Sequence, residues 1–474
     1  MAESDTKGSK KATATPAEGL ENEFYAKHEK IYPRQVSGMF ARLRVTAMLV
    51  LLGIFYGLPW IQWEGRQAVL FDLPARQFHV FGLTFWPQDF FLLAMLLVIA
   101  ALTLFFFTAL AGRLWCGYAC PQTVWTEAFL RIERWFEGDR AKQMKLDKAP
   151  WSKEKILRKT GKHTVWIVFG LFTGLTFVGY FVPITDLIPR FLTLNTGAWE
   201  TFWVLFYGFA TWGNAGFMRE QVCIYMCPYA RFQSAMFDKD TLIISYDEER
   251  GEPRGPRKRG TDHKAKGLGD CIECTLCVQV CPTGIDIRDG LQYQCIGCSA
   301  CVDVCDEVME KMGYPKGLIR YTTENAMAGK PTRVLRPRVF LYGALLLVLL
   351  AGFIYGVSAR NPVGIDVIRD RNVLYRELPD GQVENVYTLK LTNRAPAERH
   401  FEISIEGLDG AELAWQEGDY VAVPPGRVIE FPISVRMDPF ELTAASSEVI
   451  FRAEVVDQPE LANERSSRFV GPIR

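Results

Sequence analysis

Long apolar stretches without a charged residue are the feature that most constrains how this chain can fold. Residues 45–60 and 90–110 contain no Asp, Glu, Lys or Arg, and the second stretch is about as long as a bilayer core requires. Backbone groups inside a bilayer must hydrogen-bond to one another, so such stretches fold as helices. Apolar residues also make up 49% of the chain. These features predict an integral membrane protein rather than a large soluble enzyme.

Hydropathy predicts about five transmembrane helices, of which the fourth is interrupted by glycines. The predicted spans are residues 45–60, 90–110, 163–184, 199–217 and 339–357. The first apolar run begins too far from the N-terminus for a cleavable secretory signal, so we expect that helix to stay in the mature protein. Basic and acidic residues balance at 54 each, which argues against nucleic acid as a partner.

The distribution of Lys and Arg predicts the orientation, because positive charge is retained on the cytoplasmic side of a membrane. Residues 111–162 contain a dozen basic residues, and residues 218–337 are also rich in them, whereas the loop between the third and fourth predicted spans contains only Arg190. Five spans then place the N-terminus in the cytoplasm and residues 358–474 in the periplasm of a bacterium. We predict a multi-pass protein of the bacterial inner membrane.

All twelve cysteines fall in the segments predicted to be cytoplasmic, where thiols stay reduced, so metal binding or catalysis is favoured over disulfides. The strongest pattern consists of two CxxCxxCxxxC runs, which comprise Cys271, Cys274, Cys277 and Cys281, followed by Cys295, Cys298, Cys301 and Cys305. In two-cluster ferredoxins the fourth cysteine of each run binds the other cluster. That rule predicts one [4Fe-4S] cluster on Cys271, Cys274, Cys277 and Cys305, and another on Cys295, Cys298, Cys301 and Cys281. Two zinc sites are the alternative.

The remaining four cysteines form two CxxxCP motifs, one at Cys116 and Cys120 and one at Cys223 and Cys227. Each motif follows a predicted span. Brought together, the four thiolates would suit Cu(I), an additional cluster or reversible dithiol exchange. They could equally be inert buried thiols at helix ends.

Residues after 357 change to short alternating strands separated by Gly, Pro and Asn, which predicts an immunoglobulin-like β-sandwich. The strands are predicted at residues 386–391, 400–405, 428–435 and 448–455. This domain has no cysteine, and we expect it to serve interaction or stability.

The combination of both CxxxCP motifs, the doubled cluster run and the terminal β domain resembles the FixG/RdxA/CcoG family over nearly the whole chain. The resemblance implies an inner-membrane accessory protein for assembly of cbb-type cytochrome c oxidase, with two [4Fe-4S] clusters and cupric reductase activity. Partners implied are oxidase subunits or copper-delivery proteins and an electron donor that the sequence does not identify. We therefore expect the ferredoxin module to pass electrons to copper held by Cys116, Cys120, Cys223 and Cys227. A quinol-oxidising ferredoxin subunit and a non-catalytic copper chaperone are the rival hypotheses.

The predicted fold is thus a membrane α-helical protein with an inserted ferredoxin-like α+β module and a C-terminal β-sandwich. The expected segments are a cytoplasmic tail at 1–44, four spans at 45–219, a cytoplasmic segment at 220–337 with the ferredoxin module at about 262–310, a fifth span at 338–357 and the β domain at 358–474.

Overall fold

The computed structural model describes residues 30–370, 373–395, 397–415, 420–442 and 444–472. The chain divides into two compact units, each assembled from three separate stretches. The first unit contains the described residues up to Leu49 together with Leu110–Ile167 and Trp212–Arg333, and the second contains Val50–Ala109, Val168–Thr211 and the residues from Val334 onward. All twelve cysteines lie in the first unit.

The helices, in chain order, are α1 Met39–Gly57, α2 Phe90–Ala111, α3 Leu114–Tyr118, α4 Pro121–Glu137, α5 Arg140–Lys148, α6 Lys153–Val178, α7 Ile184–Leu192, α8 Ala198–Gly213, α9 Pro228–Met236, α10 Glu248–Gly251, α11 Leu276–Gln279, α12 Ala300–Met312, α13 Glu324–Met327 and α14 Pro337–Ser358. The strands are β1 Gln62–Trp63, β2 Arg66–Gln67, β3 Val69–Asp72, β4 Gln77–Val80, β5 Leu83–Phe85, β6 Ile243–Tyr246, β7 Ile319–Thr322, β8 Val363–Arg369, β9 Arg376–Glu377, β10 Val383–Asn393, β11 Arg399–Glu406, β12 Glu412–Ala414, β13 Val421–Val423, β14 Val428–Met437, β15 Ser446–Val455 and β16 Gln458–Val470.

In the described part of the chain, four helical segments are long and apolar enough to cross a membrane, namely Met39–Trp60, Pro87–Ala111, Lys153–Val178 and Pro337–Ser358. The chain is a membrane protein. The bounds predicted for the third span, 163–184, are wrong at both ends. Lys and Glu favour helix, so α6 already begins at Lys153, with an i,i+4 pair between Glu154 and Arg158. It ends at Val178, and Pro183 precedes the separate helix α7.

The fourth predicted span does not form one continuous helix. Helix α8 has 16 residues, and a π-helical turn at Asn214–Met218 follows it. Gly216 lies in this turn. A Cβ at this position would be 3.2 Å from the Trp166 ring, so the glycine leaves room for that ring. Whether this segment crosses the membrane stays a prediction. Within the second unit, Gly174 allows α6 and α8 to approach closely, since a Cβ there would clash with the carbonyl oxygen of Val204.

A two-stranded sheet outside residues 262–310 packs beside the cysteine runs of the first unit. Strands β6 and β7 pair antiparallel across more than 70 residues of sequence, from Ile243 opposite Thr322 to Tyr246 opposite Ile319. The apolar side chains of this sheet pack with α12 into one core, which includes Met309. Because these two strands are so far apart in the chain, no local sequence pattern indicates that they pair.

Within the first unit, the cysteine-bearing helix α12 contacts the start of α1. Asp303, on α12, accepts hydrogen bonds from the backbone N–H groups of Phe40 and Ala41, at 3.2 and 2.7 Å. These donors lack partners within α1 because they belong to its first turn. A carboxylate from α12 therefore caps α1, and this contact explains why the helix begins at Met39 rather than at the predicted residue 45.

In the second unit, residues 363–470 form a β-sandwich. One sheet has the order β12-β14-β10-β8 with β9 also paired to β10, and the other has the order β13-β11-β15-β16. All of these pairs are antiparallel. The inner faces supply fully buried side chains such as Tyr387, Phe401, Phe451 and Phe469. The four predicted strands are present within β10, β11, β14 and β15. Strand β16 was missed because its sequence is mostly polar, and most of its residues are not buried.

Candidate metal centres

The two cysteine runs share an unusual backbone. Glu273 and Thr275 in the first run, and Gly297 and Ser299 at the equivalent positions of the second, all have positive φ, between 55 and 69°. Residues other than glycine adopt this conformation rarely and at a cost. It coils each CxxC segment tightly, so that its cysteines lie around a common centre. The repeated strain at matching positions indicates that both loops are shaped for the same kind of ligand.

The first cavity is lined by Cys271, Cys274, Cys277 and Cys305, with an empty volume of about 370 Å³. Three of these cysteines come from the first run and one from the second. The remaining wall is largely apolar. It includes Leu318, which precedes β7, and Ile319, the first residue of β7. Cys274 is exposed, whereas Cys271 and Cys277 are buried.

The second cavity is lined by Cys281, Cys295, Cys298 and Cys301, and also by Cys277, with an empty volume of about 340 Å³. Here three cysteines come from the second run and Cys281 comes from the first. Cys277 and Cys281 are four residues apart, as are Cys301 and Cys305. On α12 this step is about one helical turn, whereas Cys281 lies just after α11. In both runs the step brings the later cysteine to the other cavity.

Burial controls the state of these thiols. Removal from solvent raises the pKa of Cys277 to about 11 and that of Cys305 to about 12, because the charged thiolate loses its hydration. A metal must therefore displace the proton when it binds. Arg288 lines the first cavity and is fixed by Asp286, at 2.6 Å.

The donor sets fit iron-sulfur clusters better than single zinc ions. Among the described residues, no three side chains of His, Cys, Asp or Glu converge as the ligands of one metal ion would. Four thiolates hold a [4Fe-4S] cluster from around its outside, so their sulfur atoms surround a cavity instead of meeting at one point. Four cysteines around each apolar cavity match that requirement.

The two CxxxCP motifs have similar local structures. In the first, Cys116 lies on α3, whereas Cys120 has extended backbone and precedes Pro121, the first residue of α4. In the second, Cys223 lies on the π-helical turn Val222–Met226, and Cys227 precedes α9, which begins at Pro228. Proline fits the first position of a helix but disfavours helix in the residue before it. The second cysteine of each motif is therefore held at a helix N-terminus.

The structure brings the four CxxxCP cysteines together. Cys116 lies close enough to interact electrostatically with Cys120 and Cys227, and Cys223 with the other three. Burial raises the pKa of Cys116 and of Cys223 to about 12. Burial also raises the pKa of Cys120, although the backbone N–H groups of Gln122 and Thr123 offset part of this effect. The thiol of Cys116 donates to the side-chain oxygen of Gln233 at 3.3 Å.

This thiol set packs directly against the second cavity. A Cβ on Gly117 would be 2.7 Å from the carbonyl oxygen of Gly297, so only glycine permits the contact between the two loops. Tyr118 donates to Ser299 at 3.3 Å. Cys116 and Cys223 pack against the apolar cluster that includes Ile296 and Cys298. The CxxxCP set and the second cysteine cavity are thus neighbours within one unit.

Arg113 joins the two sites and was not predicted from the sequence. Its guanidinium donates to the carbonyl oxygens of Cys295 and Ala230, at 2.9 and 2.6 Å, and also to that of Tyr293. The residue is only 7% exposed. It therefore places a buried positive charge between the loop of the second cavity and α9. The only sequence signal is its position three residues before Cys116, which does not reveal contacts 180 residues away.

Asp306 occupies the position where the first run has Pro282. Helix α12 continues through this position to Met312. Asp306 accepts a hydrogen bond from the backbone N–H of Gly317 at 2.8 Å. The carboxylate thus fixes the loop that leads from α12 into β7.

Comparison with protein families identifies three regions of the chain. Residues 218–324 match a 4Fe-4S dicluster domain, residues 93–140 match a 4Fe-4S binding domain, and residues 353–472 match the IG-like fold at the C-terminus of FixG. The second match contains Cys116 and Cys120. These matches confirm that the chain carries iron-sulfur domains and an immunoglobulin-like C-terminal domain.

Curated relatives match most of the chain. The nitrogen fixation protein FixG of Rhizobium meliloti is 39% identical over 86% of this chain and 85% of its own length. Two proteins of Cereibacter sphaeroides are also similar. RdxB is 44% identical over 80% of this chain and 83% of its own length. RdxA is 42% identical over 81% of this chain and 84% of its own length.

Among solved structures, a FixG-related protein from Vibrio parahaemolyticus is 33% identical over 23% of this chain and 97% of its own length, with a TM-score of 0.21. The extent and identity of the curated matches confirm the family predicted from the motifs. The chain is an iron-sulfur electron-transfer protein and oxidoreductase of the membrane, and it belongs to the FixG family together with RdxA and RdxB.

Proposed function

We propose that this protein reduces Cu(II) to Cu(I) at the four CxxxCP thiols, with electrons supplied from the adjacent ferredoxin module. One observation carries the proposal: the CxxxCP set packs against the second cysteine cavity through Gly117 and Gly297. Electron transfer needs short distances between donor and acceptor, and this contact supports a direct route between the two sites.

The ligand assignment follows the two cavities. Cys271, Cys274, Cys277 and Cys305 would hold one [4Fe-4S] cluster, and Cys281, Cys295, Cys298 and Cys301 would hold the other. Such clusters supply one-electron transfer. The protein groups around them set how easily they are reduced: Arg113 adds positive charge near the second cavity, whereas the charge of Arg288 near the first is balanced by Asp286.

Copper enters this scheme as the substrate. One electron converts one Cu(II) to one Cu(I), and the reduction itself requires no proton. Soft thiolate ligands favour Cu(I) over Cu(II), so Cys116, Cys120, Cys223 and Cys227 would stabilise the product. Because no three described ligands converge on one point, these side chains must rotate to bind the ion.

The biological setting rests on the family resemblance and on charge distribution. We propose that the reduced copper serves assembly of cbb-type cytochrome c oxidase through oxidase subunits or copper-delivery proteins. The cysteine-bearing unit contains the segments rich in Lys and Arg, which supports a cytoplasmic location for it at the bacterial inner membrane. The C-terminal β domain would then face the periplasm.

A single-turnover experiment tests the reaction. Purified protein is reduced anaerobically, excess reductant is removed, and Cu(II) is added while Cu(I) is measured with a colorimetric chelator. We expect Cu(I) to appear as the iron-sulfur absorbance returns. The double variant Cys116→Ser/Cys223→Ser should slow this reaction at least tenfold, because it removes one thiolate from each motif while the ferredoxin cysteines remain.

A sulfur-containing residue of the second motif provides the matched control. Met226 is 57% exposed, and Met226→Leu should react like the wild type. Equal rates in the double variant and the wild type would reject the site assignment. Failure of the reduced wild-type protein to reduce Cu(II) would reject the copper function, and reduction of the iron-sulfur centres by quinol without any copper dependence would favour a quinol-oxidising subunit.

A further inference from the structure

An open cleft in the first unit lies beside the CxxxCP set. Its empty volume is about 920 Å³, including solvent at its mouth. Its walls come from the segment before α1, the first turns of α1, the length of α4 and the loop after Cys281. Cys223 forms part of the wall, and so does Thr283, whose hydroxyl lies 3.3 Å from the Cys281 thiol. A molecule in this cleft would therefore contact both redox regions.

The cleft is strongly basic. Five arginines line it, against two glutamates, and one of these glutamates is already surrounded by cations. Glu127 pairs with Arg131 at 3.1 Å, with Arg134 at 3.3 Å and with Arg44 at 3.8 Å. Arg219 is paired elsewhere, with Glu133 at 2.8 Å. Since like charges repel, this cleft disfavours a hydrated metal cation and favours an anion.

Arg44 has donor capacity that the described protein groups do not use. Its Nε is buried and has no hydrogen-bond partner among them, and its side chain is 14% exposed. A buried unsatisfied donor is costly. The fork of a guanidinium matches a carboxylate or phosphate, which it binds through two parallel hydrogen bonds. Among the described residues, the rest of the wall mixes aliphatic side chains such as Leu130, Val280 and Ile296 with Gln and Thr side chains, and none of these residues is aromatic.

We propose that this cleft, defined here by Arg44, Arg131, Glu127 and Cys223, binds a small carboxylate-bearing anion and takes copper as the complex of such an anion. The inference rests on the proposed copper function for the identity of the substrate, but the anion site itself does not. Delivery of copper as an anionic complex resolves an electrostatic difficulty. The site needs Cu(II), but its surroundings repel a free divalent cation, so the ion must arrive with negatively charged ligands.

Binding is tested with citrate and the complete holoprotein in detergent. Titration calorimetry should detect citrate binding to the wild type, and Arg44→Gln should weaken it about tenfold or more, as expected for loss of a charge-assisted hydrogen bond. Arg131→Gln is a second variant at the rim, where its side chain is 41% exposed, and it should also weaken binding. Arg42 is exposed and does not line the cleft, so Arg42→Gln should bind citrate like the wild type.

The copper arm uses two complexes of opposite charge. In the single-turnover assay, Arg44→Gln should raise about tenfold the concentration of the anionic Cu(II)–citrate complex that gives half the maximal rate, and it should not raise that of a cationic Cu(II)–polyamine complex. The anion site is wrong if citrate does not bind the wild type, or if both arginine variants bind it normally. If citrate binding behaves as expected but neither copper complex is reduced, the copper function fails and the anion site stands. If only the cationic complex is reduced, the proposed form of the substrate is wrong.

Discussion

At the residue scale, a single guanidinium connects the two chemical regions of this protein. Arg113 is buried and donates to the carbonyl oxygen of Cys295 from a position three residues before Cys116. Its charge interacts with Cys116, Cys223 and Cys227 as well as with Cys295. A buried cation at this point stabilises any additional negative charge on either site.

We predict that Arg113→Gln makes the reduction potential at the second cavity more negative, by tens of millivolts. Reduction adds negative charge, and the variant removes the positive charge that stabilises it. The measurement is a redox titration followed by electron paramagnetic resonance. Arg113→Lys should lie nearer the wild type because it keeps the charge.

Arg288→Gln serves as the matched control because Arg288 lines only the first of the two cysteine cavities. This variant should shift the potential of the other centre. Identical reduction potentials in the wild type and in Arg113→Gln would show that Arg113 has only a structural role.

At the scale of elements, short helices distribute the cysteines between two cavities. Helix α12 carries Cys301 to the second cavity and Cys305 to the first, while Cys277 and Cys281 lie at and after α11. The CxxC loops, with their repeated positive φ values, supply the other ligands. The exchange of the fourth cysteine thus combines one helical repeat on α12 with a step beyond the end of α11 to Cys281.

We predict that Cys305→Ser and Cys281→Ser damage different centres. Cys305→Ser should reproduce the spectrum of Cys274→Ser, because both line the first cavity, and Cys281→Ser should reproduce that of Cys298→Ser. Iron analysis should fall from about eight to about four atoms per chain in each variant. If Cys305→Ser instead matched Cys298→Ser, each run would hold its own cluster and the crossing would be wrong.

The two CxxxCP motifs also show which features a local sequence pattern does not reveal. The CxxxCP spacing predicted a set of four thiols, and the structure adds their backbone. The first cysteine of the first motif lies on a helical turn, and the second precedes a proline. Repeated sequence did not produce equivalent surroundings: Tyr118 bonds to Ser299, whereas Tyr225 is 57% exposed. Only tertiary contacts distinguish the two copies.

At the scale of the whole molecule, the number of membrane crossings decides the side on which the C-terminal domain lies. In the part of the chain that the structure describes, four segments are long and apolar enough to span, and α8 has only 16 residues before the π-helical turn. With the N-terminus in the cytoplasm, an odd number of crossings puts the β-sandwich in the periplasm, and an even number puts it in the cytoplasm.

We predict five crossings, because the loop before α8 carries only Arg190 whereas the segment after it is basic. Alkaline phosphatase, which is active only in the periplasm, should be active when fused to the C-terminus and inactive when fused after Gly260. A fluorescent protein that folds only in the cytoplasm should give the reverse pattern. Active phosphatase after Gly260 together with inactive phosphatase at the C-terminus would mean that α8 does not cross.

The sequence by itself determined the membrane class, the iron-sulfur domains, the β-sandwich and the family, because each depends on periodicity or on residue spacing that is local in the chain. The spacing also predicted the exchange of the fourth cysteine between two clusters, and this exchange stays a prediction. Tertiary structure alone decided that the CxxxCP thiols adjoin the second cavity, that Asp303 caps α1 and that Arg44 and Arg113 carry buried charge. These contacts join residues between 83 and 263 positions apart, and residues so distant leave no periodic pattern in a sequence.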